Sequence, residues 1–312
     1  MALTGLKEDA LKLVLFGGKG GVGKTTCASS AGLYLAKEGF KTLVISTDPA
    51  HSLSDSLSQK FGDEVKEVRG VKNLSVLEVN AQKALSRFRV RYEGQIRKIF
   101  DTSTYLDQED INSFLALPIP GIDEVMGFKT IVDLIDEAKF DKYVVDTAPT
   151  GHALRLLTLP ELLDGWIKVL AKMRWKYRYM VESFSGKYNP DEGDDFLLEM
   201  KKTVKRIESL LKDRKRCEFA AVAIPENMAI LETERLVNDL NKYGIKVKQL
   251  LVNNVLESAD CQFCRERSKA QAEYIEQIRI KFSALKTTIT PLQSHEVKGV
   301  EALDRFSRRL FQ

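Results

Sequence analysis

The stretch Leu15–Thr26, LFGGKGGVGKTT, restricts the fold of this chain more than any other segment. It contains G-x-x-x-x-G-K-[ST], with Gly18, Gly23, Lys24 and Thr25 at the required positions. Such a loop works only between a strand and a helix, where backbone N–H groups converge on one point and the helix N-terminus adds its positive end. Both flanks are present: LKLVLF precedes the loop, and Thr25–Lys37 follows with a helical pattern. Gly18, Lys19, Gly20, Gly21, Val22, Gly23, Lys24, Thr25 and Thr26 are therefore expected to bind a nucleotide. Lys24 would reach the β and γ phosphates, and the Thr25 hydroxyl would ligate Mg²⁺. Lys19 is left over, a second cation in a loop that already has one.

The rest of the chain repeats the alternation. Apolar runs KTLVIS, LSVLEV, KYVVD, FAAVAI, VKQLLVN and TTIT are interleaved with helical patterns, among them Ala229–Tyr243 and Val300–Phe311. This predicts an α/β fold with a doubly wound, mainly parallel sheet. Two further stripes, Trp166, Leu170, Met173, Tyr177, Met180, Phe184 and Leu197, Met200, Val204, Ile207, Leu211, recur at steps of three and four on either side of SGKYNPDEGDD. They predict a helical hairpin. With Leu85, Phe88, Tyr92, Ile96 and Ile99 they predict a helical subdomain, contributed roughly by 81–135 and 153–215, within one P-loop ATPase domain over 1–312.

Composition removes several classes. The chain has 312 residues, 44% hydrophobic and 29% charged, with a mean hydropathy of -0.22, as in a soluble globular protein. No apolar run approaches the roughly 20 residues that span a bilayer. MALTGLKEDALK lacks the basic-then-apolar layout of a signal peptide, so a cytoplasmic location is expected. There the four cysteines would be reduced or metal-bound. A net charge of +4 gives no reason to expect nucleic acid as a partner.

Two aspartates stand at strand ends. Asp146 closes KYVVD, suited to holding Mg²⁺ at the carboxyl edge of the sheet, and Asp48 closes KTLVISTD, suited to orienting water.

With these residues on view, KGGVGKTT resembles the signature-lysine P-loop of the partition, septum-positioning, nitrogenase iron-protein and cluster-carrier ATPases. STDPAHSLSD, DTAPTGHALRLL, AIPEN, LVNN and PLQSHEVKGVEAL narrow the resemblance to the arsenical-pump and tail-anchored-protein-targeting ATPases, over almost the whole chain. The resemblance implies that Lys19 crosses a homodimer interface to the partner's ATP, which would explain the second lysine. It implies Asp48 as the water-activating residue, Asp146 through Gly151 as a nucleotide-sensing switch, Asn253 as an adenine contact, Glu226 in the nucleotide pocket, and Pro291–Val297 lining the base.

CQFC, Cys261–Cys264, is one C-x-x-C, half of a Cys₄ zinc site. Two chains about a two-fold axis would supply four thiolates. The resemblance to the targeting branch implies Zn²⁺ shared in this way by Cys261 and Cys264, with a redox-active pair or two unliganded thiols as alternatives. Cys27 and Cys217, without cysteine neighbours in sequence, are expected in the core. The targeting branch implies a homodimer, with a higher oligomer open, that binds hydrophobic transmembrane segments of clients and meets a membrane receptor. Trp166, Leu170, Met173, Met180, Met200 and Val204 would contribute to that groove, unless the hairpin stripes simply pack on each other. An iron-sulfur cluster carrier and an arsenite-pump ATPase remain as alternatives.

Overall fold

The computed structural model describes residues 3–48, 52–103, 122–147, 167–168, 170–172, 174–184, 187, 189–257 and 261–311. They fall into two compact units, one within Met1–Asn80, Asp133–Leu157 and Leu210–Gln312, the other within Ala81–Val132 and Thr158–Ser209.

The first unit is built on strands β1 (Leu13–Gly17), β2 (Thr42–Ser46), β3 (Lys66–Glu67), β4 (Leu74–Glu78), β5 (Lys142–Asp146), β6 (Cys217–Ala223), β7 (Val247–Val255) and β8 (Lys286–Pro291). Their order is β3-β4-β2-β5-β1-β6-β7-β8. Among the described strands only the two-residue edge strand β3 runs antiparallel, against β4. The doubly wound, mainly parallel sheet expected from the alternation is thus present. Strands β1, β2, β4, β5 and β6 are buried along their whole length, the condition in which parallel strands read as unbroken apolar runs rather than alternating ones.

The helices are α1 (Lys24–Lys37), α2 (Ser52–Leu57), α3 (Ala81–Ser103), α4 (Ile122–Asp136), α5 (Glu192–Lys212), α6 (Asn227–Lys242), α7 (Gln262–Lys281) and α8 (Val300–Phe311). Helix α1 begins directly on the glycine loop, which follows central strand β1. Strand order departs in both directions from β1, to β5 on one side and β6 on the other. That reversal opens a crevice at the carboxyl ends of the strands, where ligands bind in such sheets. Helices α1 and α8 pack on one another; Tyr34 stacks on Phe311 at 3.8 Å and Lys37 pairs with Asp304 at 2.7 Å. Cys27 and Cys217 are buried as expected, and burial pushes both thiols up to about 12.

The second unit is helical among its described residues. On α3, Phe88, Tyr92, Ile96 and Ile99 are buried; on α5, Phe196, Leu197, Met200, Val204 and Ile207 are buried. Tyr92 packs on Phe196 at 5.1 Å and donates to Glu199 at 2.5 Å. Residues 167–168, 170–172 and 174–184 are helical, but their inward face differs from the apolar stripe. Leu170 is buried and Phe184 is exposed, while Arg174 is buried, paired with Asp191 and, at 3.2 Å, with Asp194. The expected groove members Met200 and Val204 are therefore core residues of the chain, and Met180 is exposed. Trp166 and Met173 lie outside the described residues.

Candidate active site

The glycines of the loop are required by what surrounds them. A Cβ on Gly18 would collide with the Val222 carbonyl of β6, and one on Gly23 with the Asn253 side chain. Gly21 and Gly23 also hold φ of 79° and 93°, which glycine alone adopts freely. Val22 is fully buried, and its carbonyl accepts from Asn253 Nδ2 at 3.0 Å. Asn253 Oδ1 in turn accepts from Thr290 Oγ1 at 2.8 Å. Asn253, expected as an adenine contact, thus braces the loop from β7.

Lys24 is buried, and Nζ curls back to donate to the Lys19 carbonyl at 3.1 Å. Burial lowers its pKa, with the charges of Asp146 and Asp48 acting against that. The lysine is thereby stored inside the loop that a phosphate would enter.

Asp146 lies fully buried at the end of β5. Its Oδ2 accepts from Thr25 Oγ1 at 2.6 Å and Ser52 Oγ at 3.3 Å. Its Oδ1 has no hydrogen-bond partner among the described residues. Burial raises this carboxyl to about 6, opposed by the Thr25 bond and Lys24 and reinforced by Asp48. A buried, half-satisfied carboxylate beside a threonine hydroxyl and a lysine fits a hard cation with oxygen ligands, and Mg²⁺ is the one that the P-loop chemistry requires.

Asp48 follows β2 half-buried, and its N–H donates to Ser46 Oγ at 3.1 Å. Helix α2 comes next, held by Glu78 at the end of β4. Glu78 is buried and accepts both from Ser54 N at 2.8 Å and Ser54 Oγ at 2.9 Å. Ser54 Oγ also accepts from Phe61 N at 3.0 Å. Sequence reasoning missed Glu78, Ser52, Ser54 and Thr290. Glu78 carried the signal used for Asp48 and Asp146, an acid closing an apolar strand.

Beside the loop lies a cavity of about 620 Å³. Gly23, Thr25, Thr26 and Ser52 form one wall, and Asn253, Asn254 and 292–297 contribute to another. Its size suits a nucleoside. Of the segment expected to line the base, residues 292–297 line this cavity, whereas Pro291 ends β8 and is not among the lining residues. Glu226 is not among them either; it stands half-exposed at the start of α6, 3.7 Å from Arg267. Gly151 lies outside the described residues.

Lys19 is one-third exposed, with Glu232 of α6 at 3.9 Å. Cys261 is exposed and caps α7, its Sγ accepting from Cys264 N at 3.2 Å. Hydrogen bonds from the Cys264 side chain and backbone lower the Cys261 thiol below its ordinary value. No group of three or more metal-ligating side chains occurs among the described residues.

Residues 11–312 match the anion-transporting ATPase family. The chain is 36% identical over 317 residues to "ATPase ASNA1 homolog 1" of Paramecium tetraurelia, covering 98% of this chain and 94% of that one. It is 34% identical over 316 residues to "ATPase GET3" of Chaetomium globosum, covering 98% and 92%.

Proposed function

The chain belongs to the anion-transporting ATPase family, and on that premise we propose that it is an ATP-dependent homodimeric targeting factor. It would bind hydrophobic transmembrane segments of tail-anchored membrane proteins in the cytosol and hydrolyse ATP to drive their delivery to a membrane receptor. The chain is an ATPase, with ATP and Mg²⁺ as its cofactors. The near full-length similarity to the named ATPases favours targeting over an arsenite pump or an iron-sulfur cluster carrier.

The loop amides and Lys24 would hold the phosphates, while Thr25 and Asp146 would hold Mg²⁺, which when bound would supply charge neutralisation at the transferred phosphoryl group. Asp48 orients the attacking water. Lys19 from a second copy approaches the same phosphates from outside, and its exposure on the loop supports that assignment. Cys261 and Cys264 of two copies supply four thiolates for Zn²⁺, a role that suits the lowered Cys261 thiol.

The observation that carries client binding is the exposure of large apolar side chains among residues 174–184. Trp175 is 64% exposed, Tyr179 65%, Met180 49% and Phe184 89%. Trp175 and Tyr179 stack at 6.0 Å. Large aromatic side chains displayed together on a helix are a surface awaiting an apolar partner, and an apolar client helix would bury them without any particular sequence being read.

Coexpression with a C-terminally anchored membrane protein tests the proposal. The chain should co-purify with that client and not with the same client lacking its anchor. Equal recovery of both would overturn the assignment.

A further inference from the structure

The two ends of the sheet differ in the charged side chains that flank the strands. Asp48, Glu78 and Asp146 gather at the carboxyl ends of β2, β4 and β5. At the amino ends a basic side chain stands beside nearly every parallel strand. Lys72 lies two residues before β4, Lys41 precedes β2, Lys12 precedes β1, Arg216 precedes β6, Lys246 precedes β7 and Lys286 begins β8. Backbone bonds join several of these positions: Lys12 N donates to the Arg216 carbonyl at 2.9 Å, Tyr143 N to the Lys12 carbonyl at 2.7 Å, and Lys142 N to the Lys41 carbonyl at 3.1 Å. Strand β5 completes the row differently. Its Lys142 is buried and donates to the Leu11 carbonyl at 2.8 Å.

Lys12 is half-buried and the other five are exposed. None of the six forms an ion pair among the described residues. The nearby carboxylates, which include Glu8 and Asp9 beside Lys142, are partly engaged. Asp141 accepts from Lys41 N at 2.8 Å, Asp213 from Lys215 N at 3.0 Å, and buried Glu218 from Gln249 at 2.6 Å and Lys248 at 3.3 Å. The six cations stand along one edge of the sheet. At the usual strand separation the seven parallel strands spread them over roughly 30 Å.

We propose that this amino edge of the sheet docks on an anionic membrane surface, with acidic phospholipid headgroups as its partner. Five of the six cations are lysines, which act as point charges and attract a mobile anionic surface without requiring the bidentate geometry of arginine. Spread across strand ends, the row fits a plane of headgroups better than a single extended acidic peptide. Docked this way, the sheet presents its carboxyl edge, with the nucleotide site, away from the bilayer.

The test is sedimentation of the full chain, without client, with phosphatidylcholine vesicles containing about a third phosphatidylserine. Binding should require phosphatidylserine and weaken as salt rises through the range where the Debye length falls below about 10 Å. Lys41→Ser combined with Arg216→Ser and Lys246→Ser should reduce partitioning on the order of 100-fold, given the usual attraction of each basic side chain near such a surface. Basal ATPase activity should be unchanged, since none of the three belongs to the nucleotide site. Equal binding to pure phosphatidylcholine, salt-insensitive binding, or full retention by the triple variant would overturn the proposal. So would preferential binding to polyglutamate or duplex DNA in competition. If the triple variant loses ATPase activity, the single Lys246→Ser protein and the salt titration of the unaltered chain decide the question.

Discussion

The two units handle charge and apolar surface in opposite ways. In the sheet unit, Lys24, Asp146 and Glu78 are buried at the carboxyl ends of the strands, where each meets other polar groups and one oxygen of Asp146 has no hydrogen-bond partner among the described residues. In the helical unit the prominent buried ion, Arg174, is tied to Asp191 and Asp194, while Trp175, Tyr179, Met180 and Phe184 face outward. Buried charge in the first unit is arranged for a ligand; in the second it secures a turn. The apolar surplus of the second unit is what remains available to a partner.

The largest effect should come from placing the same charge on the two sides of the helical unit. Met200→Asp puts a carboxylate into a fully buried position, which should cost about 4 kcal/mol or more and abolish a cooperative melt. Phe184→Asp alters a side chain that is 89% exposed, so stability should move by no more than about 0.5 kcal/mol while client capture collapses. Calorimetry with client co-purification checks both. Equal destabilisation by the two substitutions would erase the distinction between an inner and an outer face.

A smaller effect tests the sheet unit. The Asp146 carboxyl is raised to about 6 in the folded chain from an ordinary 3.8. The folded state therefore holds its proton more tightly, so burial costs stability above about pH 6 and the cost disappears as pH falls toward 4. The shift corresponds to about 3 kcal/mol at neutral pH. Asp146→Asn should accordingly stabilise the nucleotide-free, metal-free chain at pH 7.5, by less than that because the Thr25 and Ser52 bonds are weakened. It should also remove Mg²⁺-dependent ATP hydrolysis. Melting curves in chelator at pH 5 and 7.5 should differ less for the variant than for the unaltered chain; an unchanged pH dependence would exclude Asp146 as its source.

The same contrast governs what was legible in the sequence. The loop, β1 and α1 were readable because strand, glycines and helix follow one another, and Asp48 and Asp146 because each closes an apolar run. Glu78 was passed over although LSVLEV ends in the same way, since its partner Ser54 lies 24 residues earlier and serine carries no periodic signal. Asn253 was placed correctly on a strand, but its bond to Val22 spans 231 residues and no local pattern announces it. In the helical unit the three-and-four spacing gave helices and, on α3 and α5, their inward faces, but not the inward face of residues 174–184. Arg174 occupies a buried position because Asp191 and Asp194, within the polar stretch SGKYNPDEGDD, neutralise it.

The smallest expected effect asks whether the buried acid of β4 serves the site through α2. Ser54→Ala removes the hydroxyl that bonds Glu78 and accepts from Phe61 N, but leaves the 2.8 Å bond from Ser54 N. The loss of one charge-assisted bond should cost about 1–2 kcal/mol if α2 cannot adjust, and less if it can. Because Ser52 of α2 reaches Asp146, a displaced α2 should lower kcat about threefold to tenfold with little change in KM for ATP. Ser54→Thr keeps the hydroxyl and should retain most of the rate. Steady-state kinetics on the pair, with melting curves, separates the roles: stability lost equally in both, with kcat unchanged, would make Glu78 a packing anchor with no bearing on hydrolysis. A fall in kcat confined to Ser54→Ala would extend the site's buried charge from the loop to β4.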